Sequence, residues 1–389
     1  MDALPTKVDY RTHIVSSLSE IGQAAWDALA AAQPDPNPFV SFAFLHALHE
    51  SGGACTETGW QPQFVALYDG AELAAAMPLY VKMHSYGEYV FDWAWADAYQ
   101  RNGLDYYPKL LSAIPFTPVT GPRLLARDAH ARAALLAVLR ATQEASAVSS
   151  THILYPPADQ VRQLADAGFM LRSGVQFHWL NAGYDNFEQF LATLEHKKRK
   201  NIRAERRKVR EAGVTLRRVR GLDASGDDWR LFHRCYEHTY AAHRSTPYLN
   251  LDFFLRIGRT MAHNILLVIA ERGGHAIAAS LVIHSERTLF GRYWGELEHV
   301  PCLHFEAAYY QPLEFCIEQK IAVFEGGAQG EHKMARGFLP TRTWSAHWLA
   351  HPAFADAIER FLERENGGID DYLDELDDRN PFLKRPPGA

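Results

Sequence analysis

The sequence predicts an α/β protein made of two copies of one unit, each a mixed sheet flanked by helices, with a basic helix between them. Three observations carry this. Short similarities recur in the same order in both halves. Apolar runs alternate with helical stretches as they do in mixed sheets. One segment between the halves concentrates positive charge in a chain whose net charge is −6. With 389 residues, 47% hydrophobic and 22% charged, the chain has material for two cores and none of the composition of a disordered protein.

The first similarity is Pro38-Phe39-Val40-Ser41 with Phe44, echoed by Pro247-Tyr248-Leu249-Asn250 with Phe253; Ser41 and Asn250 are suited to cap the next helix. The second is a hairpin at 64–81, with its turn at Asp69-Gly70, echoed at 265–283 with a turn at Gly273-Gly274. The third is Gly168-Phe169 and, after eight intervening residues, His178-Trp179-Leu180. It returns at the same spacing as Gly337-Phe338 and His347-Trp348-Leu349. The shifts are about 209, about 203 and 169 residues, so the first copy carries extra length near 84–150.

In the second copy, helices are expected at 225–241 and 250–262, followed by an antiparallel meander at 265–271, 276–284 and 288–295. A helix at 305–320 then leads to strands near 321–325 and 341–349. Phe305, Ala308, Tyr309, Leu313, Cys316 and Ile317 share one face of that helix, and Pro312, lacking an N–H, should kink it or end its first half.

Between the copies, Asn186 with Gln189 reads as a helix start and Gly213 as its stop. Twelve of the 40 lysines and arginines fall between Lys197 and Arg220. The apolar stripe Phe187, Phe190, Leu191 and Leu194 thins to Ile202 and Val209, so the helix is expected to dock at its first turns and project as a basic arm. The expected organisation is a first unit at 1–184, the arm at 185–213, and a second unit at 214–389 that ends in an acidic helix.

Four cysteines, at 55, 235, 302 and 316, form no CxxC pair and no metal-like spacing, which fits a reducing compartment and predicts no metal site. The start, Met1-Asp2-Ala3-Leu4-Pro5, shows no signal-peptide pattern, and no stretch reaches the ~20 apolar residues of a membrane span. A cytoplasmic protein is the expectation; its oligomeric state is not legible.

TPVTGPRLLARD (117–128), THILYP (151–156), the basic run 197–214, LFGRYWGELE (289–298), HFEAAYYQPLEF (304–315) and EGGAQGEHKMARGF (325–338) succeed one another in an order that resembles the FemAB-like branch of the GNAT acyltransferase superfamily. The resemblance spans about 37–350. It implies two tandem GNAT-like acyl-CoA N-acyltransferase folds, and transfer of an acyl or aminoacyl group from an activated donor to an amine, in cell-wall precursor or small-molecule metabolism. A catalytically silent relative that binds a nucleotide-linked or peptidoglycan-precursor ligand is the alternative. No tightly bound cofactor is implied; acyl-CoA or aminoacyl-tRNA would be the co-substrate. Acyl-CoA-using members usually carry a Gln/Arg-x-x-Gly-x-Gly/Ala loop whose N–H groups hold the pyrophosphate. Here the corresponding places read Thr120-Gly121-Pro122-Arg123 and Gly295-Glu296-Leu297-Glu298, and relatives that use aminoacyl-tRNA lack the loop as well.

Amide formation needs a base for the amine, donors for the developing oxyanion, and a proton for the leaving group. The densest polar cluster at an expected strand end is 325–333. Within it Glu331 and His332 are the candidate catalytic bases, and Lys333, Gln329 and Glu325 candidate substrate contacts. Arg292 and Trp294 share a strand face, and His304 begins the next helix nearby; all three are candidate substrate contacts, with core packing for Trp294 and a surface salt bridge for Arg292 the competing readings. In the first half, Asp92 and Trp95 belong to an aromatic and acidic stretch suited to an amine. Lys197, Lys198, Arg199, Lys200 and Arg203 would meet phosphates of the donor, tRNA included.

Overall fold

The computed structural model describes residues 9–328 and 330–383. The chain forms two compact units: residues up to Ser173 with Trp344–Gly367, and Gly174–Thr343 with the residues from Gly368 on. These limits differ from the expected 1–184 and 214–389. The basic segment belongs to the second unit, and Trp344–Gly367 returns to the first because Ser345–Leu349 completes a ladder there.

In the first unit the strands are β1 (Arg11–Val15), β2 (Trp60–Pro62), β3 (Phe64–Asp69), β4 (Glu72–Met77), β5 (Tyr80–Lys82), β6 (Lys109–Ser112), β7 (Leu125–Ala126) and β8 (Ser150–Leu154). A small sheet runs β1-β3-β4-β7, and a second set runs β2-β5-β6-β8, with β6 and β8 parallel. The expected hairpin is β3–β4, turning at Gly70 with φ +61°. Val65, Leu67, Leu110, Leu135, Leu139 and Ile153 pack its core.

Strand β9 (Met170–Leu180) carries the chain from the first unit into the second, which adds β10 (Val214–Arg220), β11 (Ile265–Arg272), β12 (His275–His284), β13 (Thr288–Glu296) and β14 (Val323–Glu325); β15 (Leu339–Leu349) carries it back. The order in the second unit is β10-β11-β12-β13-β14-β9, antiparallel except for the parallel pair β13–β14.

The repeat is visible element by element. The Ser41 hydroxyl accepts from the Phe44 N–H (3.3 Å), and Asn250 accepts from the Phe253 N–H (3.0 Å), each opening the expected helix, Phe42–Glu50 or Leu251–Thr260. β11–β12 repeats the hairpin of β3–β4, each with one register shift. His178-Trp179-Leu180 and His347-Trp348-Leu349 both end eleven-residue strands.

The basic segment departs from expectation. It is two helices, Phe187–Thr193 and His196–Glu211, broken at Leu194-Glu195, where Leu194 bridges Phe382 and the Glu195 N–H meets the Pro381 carbonyl. The second helix does not project: Ile202 and Val209 are both buried, and it lies against β10 and residues 306–310. Ile202 and Val209, seven residues apart, share one helical face, and burying both holds the second half of the helix down.

Candidate active site

The second unit opens where β13 and β14 part. They pair in parallel only from Thr288–Phe290 to Val323–Glu325; β13 runs on to Glu296, while β14 gives way to Gly326-Gly327. A bulge in β13 helps to turn it aside: Tyr293 faces Leu281 and Gly291 faces Val282, which leaves Arg292 as the extra residue. A Cβ on Gly295 would come within 1.9 Å of the Cys235 carbonyl oxygen, so only glycine lets helix Gly226–Ala242 back onto the strand there. The result is a cleft of about 90 Å³ whose walls include Arg292, Trp294, His304, Tyr309, Phe324 and Gly326. Arg292, Trp294 and His304, read from the sequence as substrate contacts, therefore do come together.

His304 and Tyr309 stand on the segment Leu303–Gln319. It begins as a short helical turn, passes through a π-turn at Glu306–Tyr310, and continues as an α-helix from Gln311. The change of pitch follows from Pro312, which has no N–H to give the Ala308 carbonyl, so the Gln311 N–H reaches back to Glu306 instead. The Ser280 hydroxyl donates to the Ala307 carbonyl (2.7 Å) and satisfies the loosened turn. The His304 ring lies 5.4 Å from both Trp294 and Tyr309. Burial, helped by the charges of His332, Arg336 and Lys333, brings its pKa down to about 4, so the imidazole is neutral at physiological pH. Burial pushes the Tyr309 phenol up to about 12, and it keeps its proton.

The closing turn is a 3₁₀ helix, Glu331–Arg336, entered through Gly327 (φ +83°) and Gly330 (φ +120°). Lys333 is buried behind the cleft wall, where its side chain lies against Gly326 of that wall and donates to the Gly327 carbonyl (3.1 Å). Burial lowers its pKa to about 8 against the pull of Glu325. Glu325 is also buried, with a carboxylate oxygen 3.9 Å from His178 Nε2. The His332 ring sits about 6 Å from those of Phe305 and Tyr309, with its pKa lowered by burial and by Lys333 and Arg336. Glu331 corrects the expectation of a catalytic base. It is exposed, accepts from the Tyr372 hydroxyl (2.8 Å) and Arg379 (2.9 Å), and is not part of the cleft wall, because the 3₁₀ helix turns it toward the C-terminal segment. Gln329 lies outside the described residues.

On helix His196–Glu211, Lys197, Lys200 and Arg203 are exposed, and Lys198 and Arg199 half-buried. Arg203 pairs with Glu188, and Arg199 donates to the Ala192 carbonyl (3.3 Å). Two neighbours that the sequence reading passed over turn inward. Arg206 grips both oxygens of buried Glu306 (3.0 and 3.1 Å) and donates to Glu314 (2.6 Å); Glu205 binds Arg336 and Tyr310. The available signal was the lone acid, Glu205, between Lys197 and Arg210.

Residues 17–384 match the family of FemAB-like proteins, described as peptidoglycan biosynthesis/recognition. The chain belongs to the FemAB-like family. With that membership it is a transferase of acyl or aminoacyl groups. Among solved structures, the FemAB-like chain is similar to the crystal structure of FemX, at 11% identity, covering 90% of this chain and 100% of that one with a TM-score of 0.55. A conserved protein of unknown function from Bacteroides thetaiotaomicron VPI-5482 is similar at 12% identity, covering 87% and 99%, with a TM-score of 0.53. A tandem GNAT protein from the clavulanic acid biosynthesis pathway is 11% identical, covering 88% and 99%, at a TM-score of 0.47. At such identities the likeness to FemX and to the Bacteroides protein concerns the fold alone. No curated protein matches. Among the described residues no helix is long and apolar enough to cross a membrane, and no three His, Cys, Asp or Glu are grouped as metal ligands.

The first unit of the FemAB-like protein places Asp92 and Trp95 in its core rather than in a pocket. Asp92 takes a hydrogen bond from Lys109 (2.5 Å) and one from Tyr106 (2.7 Å); Trp95 packs edge-on against His347 at 5.0 Å. Lys109 also donates to Glu88 and Ser85 (2.8 Å each), so its three N–H groups all hold the 85–92 segment. The carboxylate of Asp92 is suited to a cation, and the cation it receives is this lysine. The partners lie 17 and 21 positions away in a segment without periodicity, which hides the network from pattern reading.

Proposed function

We propose that this FemAB-like protein transfers an aminoacyl group from charged tRNA to the amine of a peptidoglycan precursor, and that the cleft between β13 and β14 performs the chemistry. The parting of the two strands around His304, Tyr309 and Lys333 carries the reading. The acceptor amine attacks the ester carbonyl, and neutral His304 takes the amine proton. Backbone N–H groups released where β13 leaves β14 meet the oxyanion. As the carbon–oxygen bond breaks, Tyr309 gives its proton to the departing ribose oxygen, and the proton taken by His304 then restores the phenol through solvent. Lys333 holds a phosphate or carboxylate of the substrate as a point charge, while Arg292 and Trp294 form the cleft wall against which the acceptor lies.

Two observations favour a tRNA ester over acyl-CoA. The end of β13 and the turn after it present Glu296 and Glu298, paired with His299 and Arg272, where a pyrophosphate would need a nest of N–H groups. The exposed Lys197, Lys200 and Arg203 suit a phosphate backbone. The four cysteines are all free, which fits action in the cytoplasm. A donor competition tests this: a mixture of tRNAs charged with labelled amino acids, or labelled acetyl-CoA, is offered with a nucleotide-linked peptidoglycan precursor. Label should move from tRNA. Movement from acetyl-CoA alone would overturn the donor, and binding of the precursor without transfer from either would make the protein a silent binder.

A further inference from the structure

The lone acid of the basic helix sits at a junction. One guanidinium nitrogen of Arg336 donates to both carboxylate oxygens of Glu205 (2.9 Å each), and the Tyr310 hydroxyl donates to the same carboxylate. The other terminal nitrogen of Arg336 donates to the His332 carbonyl (2.8 Å), and the guanidinium covers the Phe305 ring at 3.4 Å. Thus one side chain ties three segments together: helix His196–Glu211, the π-turn with Tyr309 and Tyr310, and the closing turn with His332 and Lys333. In a 3₁₀ helix, residues three apart eclipse one another, so Lys333 and Arg336 share a face, and both are buried. Whatever fixes Arg336 fixes the turn from which Lys333 reaches the glycines of the cleft.

We propose that Glu205 is a positioning residue for transfer: through Arg336 and Tyr310 it sets the closing turn and the π-turn against each other and so holds Lys333, His304 and Tyr309 in place. The proposal rests on the cleft being the transfer site. It gives the basic helix a second role, since the element whose outer face would meet the donor's phosphates braces the cleft with its inner face. A charged hydrogen-bonded pair of this burial is hard to break from one side, because the partner is left buried and uncompensated.

The test is a titration of Lys333 by NMR with [ε-13C]lysine, its resonance assigned by loss in Lys333→Arg. In the parent it should titrate near 8. Glu205→Ala should free the turn, admit water and move the titration upward by at least about one unit, toward the ordinary lysine value. Glu205→Gln, which can still accept from Tyr310 and Arg336, should stay near the parent. In the tRNA transfer assay Glu205→Ala should lower kcat about 10–100-fold, with KM for charged tRNA changed less than about twofold. Should Glu205→Ala not fold, Tyr310→Phe removes one of the bonds and should give an intermediate shift. A parent-like Lys333 titration in Glu205→Ala, or in Tyr310→Phe where that stands in, overturns the proposal. A parent without transfer activity would defeat the functional reading, while the titration still decides the positioning.

Discussion

His178 stands directly opposite Glu325 on the neighbouring strand, with Nε2 3.9 Å from a carboxylate oxygen. In the first unit His347 stands opposite His152 in the same kind of pair, with their Nδ1 atoms 2.7 Å apart. The two His-Trp-Leu strands thus keep one register, and the units diverge beyond these pairs. After Glu325 come two glycines and the cleft. After Leu154 the buried Arg123 guanidinium donates to the carbonyls of Leu154, Gly121 and Val119, filling that strand end. This contrast is why the chemistry is assigned to the second unit.

His304→Ala should lower kcat by about 10²–10⁴-fold, the usual loss for a general base. Because burial brings the imidazole down to about 4, it accepts protons only above that pH. The acid limb of kcat for the bound complex should then fall near pH 4, in a pH-rate profile at saturating substrates. A limb near the ordinary histidine value of about 6.5 would assign the base to a solvated group.

Glu331 and Lys333, two residues apart, should behave in opposite ways. Glu331→Gln removes only exposed contacts, worth about 0–1 kcal/mol, and should leave turnover within about twofold. Lys333 has a folded pKa of about 8, below its unfolded value of 10.5, so the native state binds that proton less tightly than the unfolded chain. Stability should rise with pH from about 8 to 10.5, and the full cost is present at pH 7. Lys333→Met should therefore raise unfolding free energy at pH 7, by on the order of 1–3 kcal/mol, while raising KM. Urea unfolding at pH 7 and steady-state kinetics check both. A destabilised Lys333→Met would make the lysine structural.

Those two residues also mark how far the sequence could be read. The tandem units, the meander and the paired caps were legible because Ser41 and Asn250, the glycine turns and His-Trp-Leu recur at matching places. The cluster at 325–333 was legible as a cluster, but which side chain faces the cleft depends on 3₁₀ geometry that no spacing reveals. The projecting arm failed because only Ile202 and Val209 record its burial, and the rest of its inner face is charged. The core position of Asp92 was not legible because its neutralising partner, Lys109, stands on β6, 17 positions on.

In the first unit, Asp92→Asn should destabilise by about 3–5 kcal/mol, since it removes the anion beside buried Lys109. Glu88 is pushed up to about 7 by burial despite Lys109, so it is partly protonated already, and Glu88→Gln should cost about 1 kcal/mol. Urea denaturation ranks the two. A stable Asp92→Asn with impaired precursor binding would restore Asp92 as a substrate contact.

Replacing Lys197, Lys198, Arg199, Lys200 and Arg203 together by glutamine should flatten the dependence of tRNA affinity on salt. The slope should fall by about 0.7–0.9 for each phosphate that is no longer neutralised. Arg203, engaged with Glu188, should contribute less than Lys197 and Lys200. Filter binding across a salt series measures this, and an unchanged slope would leave the helix surface without a role in donor binding.

Photolabelling tests the assignment of chemistry to the second unit most directly. A tRNA charged with a photoreactive amino acid is bound to the protein, irradiated and digested, and the modified peptides are mapped by mass spectrometry. Label should fall on residues 291–309, around Arg292, Trp294, His304 and Tyr309 of the cleft wall, and decline when unlabelled charged tRNA competes. Label concentrated in 85–110 of the first unit, with 291–309 unmodified, would contradict the assignment.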